Sequence, residues 1–209
     1  MQIIDLKYLK SKIETDLNSE IISGRTLLDS LRVIDESSRK TASYVDHRFS
    51  PFYYYLGKYM KPQSMIEIGF DLGLLSSCFL KSCKTVQKFV GFKEKTTEYA
   101  SNRLGKSNIK QNFKNEKKYF LGNLYDEDFL NCISATHFDL AIINEETKYD
   151  KHLEYLDIVW NHLSENGIII VEYFGRHNPS KDAFLGFCHN KHRIPEQFPT
   201  RYGTAIVQK

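Results

Sequence analysis

The sequence predicts an α/β fold, a doubly wound and mainly parallel sheet with helices on both faces, preceded by a helical extension. Three observations predict it. From Ser64 onward, short apolar runs alternate with stretches of helical periodicity. The first of those runs ends in a turn carrying Gly69 and Gly73, and the first sixty residues carry helical periodicity alone.

Leu6, Leu9, Ile13 and Leu17 recur at intervals of three and four, as do Leu27 or Leu28, Leu31 and Ile34. Such spacing puts apolar side chains on one helical face, and the break falls near Ser23-Gly24. Ser50-Pro51 reads as a cap and first-turn proline for a third helix through Phe52-Tyr53-Tyr54-Tyr55-Leu56, ending before Pro62. Phe49, Phe52, Tyr53, Tyr54 and Tyr55 cannot all be buried on one face, so some must meet a pocket, another subunit or the preceding helices; packing is the favoured reading. Strands are expected at 65–68, 88–92, 119–121, 138–143 and 167–171, because short apolar runs bounded by turns suit strands buried on both faces. Helices fit near 74–82, 96–104, 126–134 and 150–164, the last with Leu153, Leu156, Trp160 and Leu163 on one face. A helix near 180–189 and a strand near 204–207 close the chain. We read 1–62 as helices packing on or capping the core and 63–209 as the sheet domain, in one structural unit.

The 209 residues are 41% hydrophobic and 26% charged, as in an ordinary globular chain. Lys and Arg outnumber Asp and Glu only by 29 to 26, so there is no strong nucleic-acid signal. No apolar run approaches the roughly 18 residues of a membrane span, and the N-terminus lacks a signal-peptide core, so the expected location is cytoplasmic. Cys78, Cys83, Cys132 and Cys188 lack metal or disulfide spacing and are expected as buried free thiols.

The chemistry centres on Glu67-Ile68-Gly69-Phe70-Asp71-Leu72-Gly73, between the first strand and the next helix. Ligands of open α/β sheets bind at the carboxyl ends of strands, where glycine admits close backbone approach and the helix offers free N–H groups. A strand-to-helix turn also uses glycine for steric reasons alone, and Glu67 could serve nearby N–H groups.

This run resembles motif I of the class I S-adenosylmethionine-dependent methyltransferases, especially small-molecule O-methyltransferases. The element order of 65–209 carries the resemblance further. Phe138 to Asn144 looks like their fourth strand, Glu165 to Tyr173 like the fifth, and Arg201 to Val207 like the final antiparallel strand. The resemblance implies a Rossmann-like methyltransferase fold with S-adenosylmethionine as cofactor. Glu67 would then hold the methionine part, with Gly69 and Gly73 as close-approach positions and Asp71 in the same turn. An acid normally ends the second strand and binds both ribose hydroxyls; here the position is Lys93, and Glu94 substitutes only if the strand end shifts by one. Asn123 stands where the family contacts adenine, although an Asx turn or a cap near Asp126 is the favoured local reading.

The metal-dependent relatives have an Asp after the fourth strand and an Asp-Asn pair after the fifth, at the positions of Asn144, Glu172 and Tyr173, and the set found here is poor for a divalent cation, so no metal is expected. Glu172 is the candidate base, with Asn144 beside it as the second catalytic candidate; the local alternative pairs Glu172 with Arg176 or His177. Those two residues, with Lys148 and Tyr149, would line the acceptor rim. Two functions follow. The first is methyl transfer to a small-molecule or other acceptor, and the second is a catalytically inactive methyltransferase-like protein that serves as a binding or structural subunit of a larger assembly, with a protein partner. A dinucleotide oxidoreductase is disfavoured because its glycine pattern and ribose acid are both missing.

Overall fold

The computed structural model describes residues 3–19, 21–31, 49–94, 99–175, 178–200 and 202–209. Expectations for Ile34, Arg176, His177 and Arg201, and for the start of the helix at 96–104, lie outside the described residues. Helices α1 (Leu6–Asn18), α2 (Gly24–Leu31) and α3 (Phe49–Met60) precede the sheet. There follow β1 (Ser64–Ile68), α4 (Leu74–Ser82), β2 (Lys88–Glu94), α5 (Tyr99–Asn112), β3 (Glu116–Gly122), α6 (Glu127–Ser134) and β4 (Phe138–Ile143). The chain continues as α7 (Tyr149–Asn161), β5 (Leu163–Val171), α8 (Pro179–Asn190), β6 (Glu196–Phe198) and β7 (Thr204–Gln208).

The strands form one sheet in the order β3-β2-β1-β4-β5-β7-β6. β1 to β5 are parallel and β7 runs antiparallel to both neighbours. The chain lays β2 and β3 on one side of β1 and then returns to place β4 on the other, so the strand order reverses between β1 and β4. Such a switch point opens a crevice at the carboxyl ends of the strands. Alternate residues serve opposite faces. Met65, Phe89, Leu140, Ile142, Ile168 and Ile170 join α1 to α4, while Ile66, Val90, Ala141, Ile143, Ile169 and Val171 join residues of α6, α7 and α8. Burial on both faces explains why these strands read as unbroken apolar runs.

Several boundaries moved. The third helix already includes Phe49, so Ser50 and Pro51 lie within its first turn instead of capping it. Proline is tolerated there because those N–H groups have no intrahelical acceptor. α5 runs on to Asn112 through Gly105, where the close approach of the Asp71 carbonyl leaves no room for a side chain. β3 starts at Glu116: as an edge strand with half-exposed residues, it lacks the apolar run of its neighbours. α7 stops at Asn161, and Leu163, expected on that helix, opens β5 by pairing with Phe138 before a register shift. The short strand β6 was not anticipated. The aromatic stretch of α3 is buried except for the half-buried Tyr54, because α3 packs on α1, α2 and α4. All four cysteines are free and buried.

Candidate cofactor and acceptor site

Glu67 is the penultimate residue of β1, and the turn that follows is fixed from below. The Gly69 and Phe70 N–H groups both donate to the Phe92 carbonyl, at 3.0 and 3.1 Å. The buried Phe70 ring packs against Phe89 and Tyr119, and the buried Asn108 of α5 donates to the Leu72 carbonyl at 2.9 Å. Gly69 and Gly73 have φ of 84° and 64°, a region that strains any residue with a Cβ. A Cβ on Gly69 would lie 2.4 Å from the Asn144 carbonyl oxygen and 2.8 Å from Glu145 Cβ. The loop after β4 therefore lies directly on this turn.

The Glu67 carboxylate is buried and accepts hydrogen bonds from the Ser76 hydroxyl of α4 and, at 3.3 Å, from Asn144 Nδ2. Burial pushes its pKa up to about 7, against the lowering effect of these two donors. Asn144 is further fixed by its own N–H, which donates to the Ile68 carbonyl at 2.8 Å. The structure thus brings Glu67, Gly69 and Asn144 into contact, with half-buried Asp71 in the same turn.

Beside them, at the end of β2, Lys93 Nζ lies 2.8 Å from Glu145 Oε1, with side-chain exposures of 20% and 16%. Glu145 Oε2 is buried without a hydrogen-bond partner among the described residues. Glu94 is turned to α7, where it pairs with Lys151, which also pairs with Glu154. Beyond β3, the Asn123 side chain accepts from the Tyr125 N–H at 2.9 Å while its own N–H donates to Asp126 at 2.7 Å. That is the Asx turn favoured from sequence.

Glu172 follows β5 and is 1% exposed. Its Oε1 accepts from the Tyr53 hydroxyl of α3 and from Thr204 Oγ1 of β7 at 2.7 Å, and its Oε2 is buried without a partner among the described residues. Burial raises its pKa to about 8. Next to it, Tyr173 adopts a φ of 64° and packs its ring 5.3 Å from that of Tyr202. On the rim, Tyr149 and Lys148 are exposed where α7 begins. Sequence reading missed Tyr53, Ser76 and Thr204 as carboxylate partners; a hydroxyl among apolar residues in a buried element was the available signal. Lys93 stood out at its strand end, but its pairing with Glu145 of another loop leaves no trace in spacing.

No family model matches the sequence, and no curated protein matches it. Solved structures do. A putative caffeoyl-CoA O-methyltransferase from Staphylococcus aureus superposes with a TM-score of 0.65 at 14% identity, over 98% of this chain and 100% of that one. This is the methyltransferase fold. An O-methyltransferase from Bacillus cereus in complex with S-adenosylhomocysteine has a TM-score of 0.62 at 14% identity, covering 97% of this chain and 99% of its own. An O-methyltransferase of Streptomyces achromogenes involved in tomaymycin synthesis, in complex with S-adenosylmethionine, gives 0.60 at 10% identity over 99% of each chain. The likeness includes the N-terminal helices, so the methyltransferase fold here is the whole chain and not the sheet alone.

Proposed function

We propose that the chain is an S-adenosylmethionine-dependent methyltransferase acting on a hydroxyl of a small-molecule acceptor. The observation that carries this reading is the buried Glu67 with Gly69 and Gly73, at the carboxyl end of the central strand and at the switch point of a methyltransferase fold. The residues present fit the cofactor. Glu67, Gly69, Asp71 and Gly73 would hold its amino-acid part, with positive-φ glycines permitting close approach, and Glu67 near neutrality would ionise beside an ammonium. When bound, the cofactor supplies an electrophilic methyl on a sulfonium.

The chain's own part is to hold an acceptor oxygen about 3 Å from that carbon and to take its proton. Glu172 Oε2 is suited to the proton, because Tyr53 and Thr204 hold the other oxygen and burial keeps the pKa near working pH. Asn144 acts through Glu67, which it orients. The four buried thiols suit a reducing compartment, and the cytoplasm is the location we propose. Among the described residues no helix is long and apolar enough to cross a membrane.

The second reading, a catalytically inactive binding subunit, is favoured by Lys93 at the end of β2, where donors stand in place of an acceptor. Calorimetric titration of the full chain with S-adenosylmethionine and S-adenosylhomocysteine decides between them. Saturable binding of both, weakened by Glu67→Ala by about 1–3 kcal/mol, supports the enzyme. Failure of either to bind at millimolar concentration overturns it in favour of the inactive subunit.

A further inference from the structure

Most buried polar atoms in a folded protein find a partner, and one left without costs free energy unless a ligand supplies it. Glu145 Oε2 is such an atom, and its position is specific. Lys93 holds the other oxygen of the same carboxylate at 2.8 Å, so the group is oriented by an ion pair. Glu145 Cβ overlies the Gly69 turn. The buried Tyr155 hydroxyl lies in the field of the same carboxylate.

We propose that Glu145, oriented by Lys93, accepts the ribose hydroxyls of the adenosyl cofactor. This rests on the methyltransferase reading above. An adenosyl group placed with its methionine end at Glu67 carries its ribose across the end of β2, where a dinucleotide or nucleoside fold normally offers a carboxylate. An ammonium there has only donors and cannot accept from a hydroxyl. In this chain the acceptor comes from the loop after β4 and the strand-end lysine becomes its support. The two residues have exchanged charge relative to the usual arrangement, and one acidic oxygen is left without a partner among the described residues. Glu94, committed to Lys151, is not that acceptor.

The test is selectivity for the ribose. S-adenosylhomocysteine and its 2′-deoxy counterpart are titrated into the full chain and into Glu145→Gln, Lys93→Met and Lys93→Glu variants, each checked by thermal melting. The natural protein should prefer the ribose ligand about tenfold or more. Glu145→Gln should remove that preference while leaving affinity for the deoxy ligand within about threefold, and Lys93→Met should reduce it. If the natural protein binds S-adenosylhomocysteine without preference, or Glu145→Gln keeps the preference, the assignment of Glu145 is overturned and the methyltransferase reading stands. A preference that grows in Lys93→Glu and ignores Glu145→Gln would also overturn it, returning the acceptor role to β2. Absence of binding to any form overturns the functional reading itself, and this inference with it.

Discussion

Glu67 and Glu172 stand at the ends of two strands on either side of β4, both buried and both with raised pKa, yet they are held differently. Glu67 is gripped from inside the sheet domain, by Ser76 of the following helix and Asn144 of the adjacent strand end. Glu172 is held between the N-terminal helix α3 and the last strand β7, through Tyr53 and Thr204, and one of its oxygens has no partner among the described residues. The first arrangement is local to the switch point and suits an unchanging part of a ligand. The second ties together distant segments and leaves capacity at one oxygen, which suits the proton-accepting role proposed for it.

The comparison breaks first at Gly69. Gly69→Ala places a Cβ 2.4 Å from a backbone carbonyl in a positive-φ position, and should cost about 2–5 kcal/mol of stability in denaturant unfolding. An unchanged midpoint would mean that the Glu67 side is not the rigid one.

The second test is pH. Glu172 and Glu67 bind protons more tightly folded, near 8 and 7, than at their ordinary 4.5. Their protonated forms therefore stabilise the fold fully below about pH 4.5, and that contribution drains away as pH rises toward 7 and 8. Glu172→Gln should have little effect at pH 5 and should stabilise by on the order of 4 kcal/mol at pH 8.5. Melting curves that shift equally at both pH values would refute a buried proton at Glu172. His152 works in the opposite sense: burial lowers its pKa to about 4, so its contribution is lost as pH falls from 6.5 toward 4.

Tyr53→Phe removes one donor from Glu172 and should cost about 1 kcal/mol, with the methyl-transfer pH profile moving alkaline as the carboxylate loses support. The profile staying in place would separate Tyr53 from the proton chemistry. The smallest effect is expected at Asn123→Ala, about 0.5–1 kcal/mol of stability from the lost Asx turn. Cofactor affinity should hardly change; a large loss in calorimetry would instead restore Asn123 as an adenine contact.

The fold was legible because β1, β2, β4 and β5 are buried on both faces, and their apolar runs and the glycine turn sit where a parallel sheet needs them. β3 was short in the reading because its first residues, Glu116-Lys117-Lys118, lie on an exposed edge, where charge hides the strand period. The site was legible only in part. Glu67 and Glu172 could be placed from strand ends, but their hydroxyl partners come from 9, 119 and 32 residues away, and no local pattern links them. Glu94 illustrates the limit. At a strand end a one-residue step decides which face a side chain serves, and here it turns to Lys151.

The first helix meets the last strands of the chain. The Ile4 N–H donates to Gln208 Oε1 at 3.1 Å and Lys10 pairs with Glu196 at 2.9 Å, contacts spanning 204 and 186 residues. A ribosome delivers α1 long before β6 and β7, so α1 must wait, unattached on this side, until the intervening sheet has emerged. Closing so long a loop is slow, and the docking of α1 onto β6 and β7 should be a late cooperative step of folding.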